Sequence, residues 1–158
     1  MTVSKYISLY SALNMMDPGG NSGDWHPINL LPENLDFAGD GQEVDTRLWF
    51  QDKDIVIYPN HASLPEYCPS QDYWSDLPPP FIAANHQRAA VDLLYRDFFI
   101  WHKQGRTVDM YGWIDTDELI QNIFDDFQII VDDLSTTSLK IEPATWRDYQ
   151  RWIWQMAA

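Results

Sequence analysis

Apolar side chains recur at helical spacing in four stretches of this 158-residue chain. Each stretch places them on one side, as an amphipathic helix against a core requires. The predicted helices cover residues 3–16, 83–103, 115–134 and a final stretch that opens with Pro143. The second half of the third helix, residues 127–134, contains a β-branched run and stays open between helix and strand.

The spacing also predicts which side of each helix is buried. In the last helix, one apolar face is expected against the core: Trp146, Tyr149, Trp152, Ile153 and Met156. In the helix over 83–103, charged residues at i, i+4 spacing are expected on the solvent side: Arg88, Asp92 and Arg96.

Between the helices, the pattern changes to short β-rich runs and turn residues. Residues 47–51 and 55–58 flank Asp52 and Lys53, which predicts a tight antiparallel hairpin. The stretches 17–41 and 59–80 are rich in Gly, Pro, Asn and Asp and are expected to be long loops. We therefore predict a single α+β domain over residues 1–158, dominated by about four helices, with a small antiparallel hairpin.

Charge is concentrated in two blocks. The chain has 24 acidic and 10 basic side chains, for a net charge of −14. Residues 17–82 hold 12 acids against Arg47 and Lys53, and residues 107–139 hold eight acids and no Lys or Arg. A field of this sign repels nucleic acid and anionic membranes and speeds encounter with basic proteins. We expect a basic protein partner, with no direct nucleic-acid binding and no membrane.

The second acidic block predicts a binding face. On a helix over 115–134, Glu118, Asp125 and Asp132 recur every seven residues, and Asp126 and Asp133 form a parallel row. Asp109, Asp115 and Asp117 extend the rows beyond the N-terminus of the helix, and we expect no Lys or Arg to relieve their mutual repulsion. Aromatic anchors beside them are expected from Tyr73, Trp74, Tyr111 and Trp113. The alternative interpretation is that these acids form an ordinary solvent-exposed side of the helix.

Other candidate chemistry is weak. His61, Cys68 and His86 lack the spacing of a zinc site, and the Asp-rich loops at 17–24 and 36–45 lack the EF-hand pattern. No nucleophile elbow or phosphate loop is present. We expect no metal, no cofactor and no catalytic residues, while an enzyme whose site carries no local motif stays an alternative.

Cysteine content and the N-terminal residues bear on the compartment. Cys68 is the single cysteine, and the first 16 residues lack the continuous apolar region of a signal peptide. No stretch approaches the ~20 apolar residues that span a bilayer. We expect a cytoplasmic protein.

In size and charge, the chain is similar to small acidic inhibitors of phages and mobile elements, such as anti-CRISPR and antirestriction proteins. It is equally similar to acidic immunity proteins that neutralise nuclease toxins. The likeness involves no shared motif and no specific residue. It implies an inhibitor that covers a basic, nucleic-acid-contacting surface of an enzyme or complex. An assembly component of a phage or secretion particle is the other alternative.

Overall fold

The structure is a computed structural model that describes residues 3–15, 18, 35–64, 77–105, 108–134 and 141–157. Its strands are Lys5–Ile7 (β1), Phe37–Gly39 (β2), Ile55–Tyr58 (β3) and Phe81–Ala84 (β4). Its α-helices are Leu9–Leu13 (α1), Arg47–Phe50 (α2), His86–Tyr95 (α3), Met110–Trp113 (α4), Asp117–Asp133 (α5) and Pro143–Ala157 (α6). A π-helical turn, Arg96–Ile100, continues α3, and His61–Ser63 forms a 3-10 turn.

The four strands form one mixed sheet in the order β2-β1-β4-β3. β1 runs parallel to β4, with Ile7 opposite Ala83, and the two outer pairs are antiparallel. The class is α+β. The predicted architecture of about four helices with a small antiparallel hairpin is wrong, because the described residues contain six α-helices and a four-stranded mixed sheet.

The predicted hairpin is wrong in its first half. Residues 47–50 form α2, whose Trp49 and Phe50 amides donate to the carbonyl of Thr46. The strand predicted at 55–58 is present as β3, but it pairs with β4, with Tyr58 opposite Phe81. A β-rich composition therefore did not decide the conformation of residues 47–50, since tertiary contacts override propensity.

The predicted first helix divides into β1 and the short α1. Tyr6 and Ser8 both donate their hydroxyl groups to the carboxylate of Asp92 on α3. Side chains two residues apart share one side of an extended chain, whereas a helix separates them by about 200°. Leu9, with φ at 57°, makes the change from strand to helix.

The sheet carries apolar side chains on both faces. Tyr6, Ala38 and Ala84 belong to the main core, which α1, α3 and α5 complete. Their strand neighbours Ile7 and Ala83 belong to a smaller cluster on the opposite face. α3 crosses the main core between α1 and α5, so it holds the sheet and the helical layer together.

The long predicted helices are largely confirmed. The helix expected over 83–103 begins at His86, because residues 81–84 form β4 and the Asn85 side chain caps α3 by accepting from the Arg88 amide. The stretch 127–134, for which the sequence pattern did not decide between helix and strand, is helical as far as Asp133. The predicted loops lie largely outside the described residues, and Phe37–Gly39 within the first of them is β2.

α6 joins the core through its first turns. Trp146 is buried, and its ring meets those of Phe98 at 5.7 Å and Phe124 at 5.6 Å, both edge-on. Gly105 lies against the same indole, with φ at 73°. A Cβ at Gly105 would approach the Trp146 ring to 2.7 Å, so only glycine fits this contact.

The Gly105 contact has a matched control in Gly41, which has the same φ of 73° but open space around its Cβ position. We expect Gly41→Ala to cost about 1–2 kcal/mol from the left-handed backbone alone. Gly105→Ala should cost a further ~1–3 kcal/mol, because the indole must move. Urea unfolding of the two variants measures the difference. Equal losses would show that Trp146 is not held against Gly105.

Candidate partner-binding surfaces

The exposed face of α5 carries the first predicted acidic row. Glu118, Asp125 and Asp132 are all exposed, opposite the buried side of the helix. The carboxylate of Asp125 accepts from Gln121 at 2.8 Å, and that of Asp132 accepts from Gln128 at 2.9 Å. These donors are neutral amides, so the hydrogen bonds orient the two carboxylates without cancelling their charge.

The two members of the second row differ in exposure. Asp126 is 9% exposed, and its two oxygens each lie 2.8 Å from Lys53 Nζ, while Gln87 donates to it at 2.7 Å. Asp133 is exposed and accepts from the Trp49 indole at 2.8 Å. The prediction that no cation relieves the rows is therefore wrong at Asp126. Lys53 reaches α5 from the turn before β3, a contact that the sequence around α5 does not reveal.

The acids before α5 form a less uniform group. Asp109 is exposed, but one of its oxygens accepts from the Gly112 amide at 3.0 Å and caps α4. Asp115 and Asp117 are exposed around the start of α5, where the helix dipole favours negative charge. Thr116, rather than the acids beside it, caps this helix by accepting from the Leu119 amide.

The predicted aromatic anchors are partly taken up by the protein itself. Trp113 is half-buried, with its ring 6.0 Å from that of Tyr10 in an edge-on contact. Tyr111 is half-buried between Trp154, whose ring lies 5.8 Å away, and Arg151, which donates to its hydroxyl at 3.4 Å. Tyr73 and Trp74 lie outside the described residues.

The exposed apolar side of α6 is the feature that the sequence interpretation missed. Only Trp146 of the face predicted to be buried lies in the core. The remaining four side chains, here called the α6 stripe, are exposed by 51%, 56%, 37% and 70%: Tyr149, Trp152, Ile153 and Met156. Periodicity identified their common face correctly, but it does not show whether another element covers that face.

A cleft of about 580 Å³ adjoins the α6 stripe. Tyr149 and Ile153 of the stripe line it together with Val108, Ile141 and the exposed Asp109. The volume lies within the ~300–1,000 Å³ of typical ligand sites. An open apolar surface thus runs continuously from the cleft along α6.

A dense polar cluster around Asp92 is closed to solvent. Asp92 has no exposed surface and accepts from Tyr6 at 2.9 Å, Ser8 at 2.7 Å and Thr46 at 2.6 Å. Arg88 Nε lies 3.6 Å from the same carboxylate. Burial raises the pKa of Asp92, whereas Arg88 and the hydroxyl groups oppose that rise.

The expectation that Arg88, Asp92 and Arg96 face solvent is therefore wrong, because all three are buried. Arg88 donates to the carbonyls of Gln51 at 3.1 Å and Lys53 at 2.7 Å, which ties the turn before β3 to α3. The i, i+4 spacing identified a real ion pair, but one that lies inside the protein.

Metal ligands do not converge in the described parts of the chain, where no group of three His, Cys, Asp or Glu side chains meets. His86 is buried and donates from Nε2 to the Met15 carbonyl at 2.6 Å. Asp45, in one of the Asp-rich loops, accepts from Arg47 at 2.7 Å and 2.9 Å. Cys68 and nearly all of the 17–24 loop lie outside the described residues.

No protein-family model, curated protein or solved structure matches the chain. None of the helices in the described ranges is both long enough and apolar enough to cross a bilayer. The surfaces of α5 and α6 are accordingly the basis for a functional proposal.

Asp92→Ala should destabilise the protein by about 3–5 kcal/mol, because it leaves the Arg88 charge and three hydroxyl groups without their buried acceptor. Asp125→Ala, at an exposed site of α5, is the control and should change stability by no more than about 0.5 kcal/mol. Urea denaturation followed by circular dichroism measures both. A loss below about 1 kcal/mol at Asp92 would contradict the role given to this cluster.

The Tyr6 phenol predicts an alkaline sensitivity. Burial raises its pKa above the ordinary value near 10, and the charge of Asp92 raises it further. Above pH 10 the unfolded chain therefore releases this proton while the folded protein retains it, so stability falls as pH rises, by up to about 1.4 kcal/mol per pH unit.

The variant Tyr6→Phe isolates this effect. Its unfolding free energy should fall less steeply between pH 10 and 11 than that of the wild type, although it starts lower because one hydrogen bond is lost. Parallel slopes in the two proteins would show that Tyr6 titrates normally.

Proposed function

We propose that this protein is a cytoplasmic binding protein that inhibits a basic partner, by covering the surface with which a nucleic-acid-processing enzyme or complex contacts phosphates. The observation that carries the proposal is the exposed row Glu118, Asp125 and Asp132 on α5. This helix has 17 residues and no Lys or Arg, and among the described residues the donors to Asp125 and Asp132 are the neutral amides of Gln121 and Gln128.

The spacing of the row fits a basic groove. Residues seven apart on a helix lie about 10.5 Å apart along its axis, so the three carboxylates span roughly 21 Å on one side. Arg and Lys side chains that normally bind phosphates can bind carboxylates at such intervals. The row thus presents a line of separated negative charges, as a nucleic-acid backbone does.

The remaining charge of the protein supports the same mode of action. With a net charge of −14, the protein attracts a basic partner over several ångströms before contact, which raises the association rate. The negative net charge also disfavours direct binding to nucleic acid, because a protein without excess cations displaces no counterions from phosphates. Inhibition would therefore act on the enzyme and not on its substrate.

The closed polar cluster supports binding over catalysis. Asp92, Tyr6, Ser8 and Thr46 bring together the types of side chain that catalyse reactions, but all four are buried. A substrate has no access to them in this conformation. Their position favours a structural role, which leaves the exposed surface as the place where the protein acts.

A charge-only variant tests the proposal: Glu118→Gln, Asp125→Asn and Asp132→Asn together. These changes keep side-chain size and leave the contacts of Asp126 with Lys53 and of Asp133 with Trp49 intact, so the fold should survive. A partner captured from the host by the wild-type protein should bind this variant at least tenfold more weakly, mainly through a slower association rate. The wild type should also displace nucleic acid from that partner in a gel-shift competition.

The matched control neutralises three acids outside α5: Asp40→Asn, Glu43→Gln and Asp45→Asn. It removes the same charge, so generic acidity predicts equal losses in both variants. Association should also slow as salt rises to about 0.5 M, because screening shortens the reach of the charges. Equal effects of the two variants, or salt-independent association, would contradict the role of the α5 row.

A further inference from the structure

The α6 stripe has the geometry of a helix-packing surface. Tyr149, Trp152, Ile153 and Met156 stand at i, i+3, i+4 and i+7, within two turns and about 10.5 Å of helix axis. With large side chains exposing up to about 150–250 Å² each, their exposed fractions add to on the order of 400 Å². Exposed patches of ~300–600 Å² on monomers are often functional.

Among the described residues, the charges that border this surface are negative. Asp148 and Glu142 are exposed on or just before α6, and Asp109 lines the adjoining cleft. The two cations of α6 point elsewhere: Arg147 lies over the Phe124 ring at 4.3 Å, and Arg151 donates to Tyr111. At about 100° per residue, Arg151 lies opposite the middle of the stripe. In the part of the chain that the structure describes, the surface is therefore apolar with an acidic border.

We propose that the α6 stripe and the adjoining cleft dock an amphipathic helical segment of a partner protein. This segment would carry apolar side chains at i, i+3, i+4 and i+7 and Lys or Arg residues along its flanks. The apolar side chains would pack against Trp152 and enter the cleft beside Tyr149, while the flanking cations would meet Asp148 and Asp109. Helix-in-groove recognition uses this spacing of anchors.

A second copy of the chain fits this surface poorly. The stripe offers about half of the ~800 Å² that each partner contributes to a standard interface. Two copies would also bring their acidic borders together, and like charges across an interface oppose association. A basic segment satisfies both the size of the stripe and its charge.

A small ligand in the cleft explains only part of the surface. Tyr149 and Ile153 line the cleft, but Trp152 and Met156, exposed by 56% and 70%, are not among its lining residues. The apolar surface continues past the cleft along α6. An occupant that covers all four side chains must therefore be elongated, as a helical segment is.

This site is independent of the acidic row on α5. Arg151 and Gln155 line a separate groove between α6 and the start of α5, on the side of α6 away from the stripe. Either surface can bind without the other, so variants at one leave the test of the other intact.

The experiment uses a helix-stabilised peptide of about 18 residues, with Leu at i, i+3, i+4 and i+7 and Lys on both flanks. Titration calorimetry should give a dissociation constant of about 100 μM or tighter for the full protein. Methyl NMR should show a shift at Met156, assigned with Met156→Leu, and none at the buried Met110. The same peptide with Glu in place of Lys should bind at least tenfold more weakly.

Two double variants distinguish binding at the stripe from nonspecific binding to exposed apolar side chains. Trp152→Ala with Met156→Ala should weaken peptide binding at least tenfold, with an unchanged circular dichroism spectrum because both side chains are exposed. The control, Leu48→Ala with Ile129→Ala, removes apolar side chains that are exposed by 79% and 49% elsewhere and should leave binding unchanged.

Four results would overturn the proposal. If neither peptide binds with a dissociation constant below 1 mM, the stripe docks no such segment. Equal binding of the Lys and Glu peptides would remove the charge argument. A dimer in sedimentation that Trp152→Ala with Met156→Ala dissociates would assign the stripe to a second copy. Saturation of the cleft by a small aromatic compound that leaves the Met156 methyl unmoved and blocks the peptide would assign the site to a small ligand.

Discussion

Asp92 lies in the middle of α3 with no contact to solvent, and its carboxylate is shared by segments that are distant in sequence. It accepts from Tyr6 and Ser8 at the N-terminal end of the chain and from Thr46 at the start of α2. Arg88, one turn earlier on α3, extends these connections to the turn before β3. A buried charge is costly unless it is paired. Each of these segments therefore has to stay in place to supply a partner to the buried charges.

The hydrogen bonds to Asp92 also determine the conformation of β1 and its position in the sheet. Because Tyr6 and Ser8 both reach Asp92, the chain between them must be extended, and Tyr6 lies in β1 next to β4. A shift of one residue would turn both hydroxyl groups away from the carboxylate. The register of the central parallel pair is thus specified by side-chain hydrogen bonds as well as by apolar packing.

Sequence periodicity was sufficient where local pattern and burial agree. α5 shows apolar side chains on one side and Glu118, Asp125 and Asp132 on the other, and its helix and exposed row were predictable. The inward position of Asp126 was not, because it depends on Lys53, 73 positions away. β1 was missed for a related reason: Tyr6, Leu9 and Leu13 fit a helical stripe, and the hydrogen bonds that extend the chain come from α3.

Whether the apolar face of α6 is buried or exposed was harder to predict. Its apolar face is evident from spacing, and Trp146 at one end of that face is buried as expected. The rest of that face looks the same in sequence, but no described element covers it. An amphipathic pattern states that a face is apolar, and only the tertiary structure states whether the protein itself covers it.

The attachment of α6 by its first turns has a consequence for how such a protein can change over generations. Trp146, with Gly105 beneath it, holds the helix to the core, whereas the stripe beyond it contributes little to internal packing. Substitutions at exposed positions usually alter stability by no more than about 0.5 kcal/mol. The four stripe positions are therefore free to vary in shape and chemistry while the fold stays intact, which is the freedom that a surface needs when its target also changes.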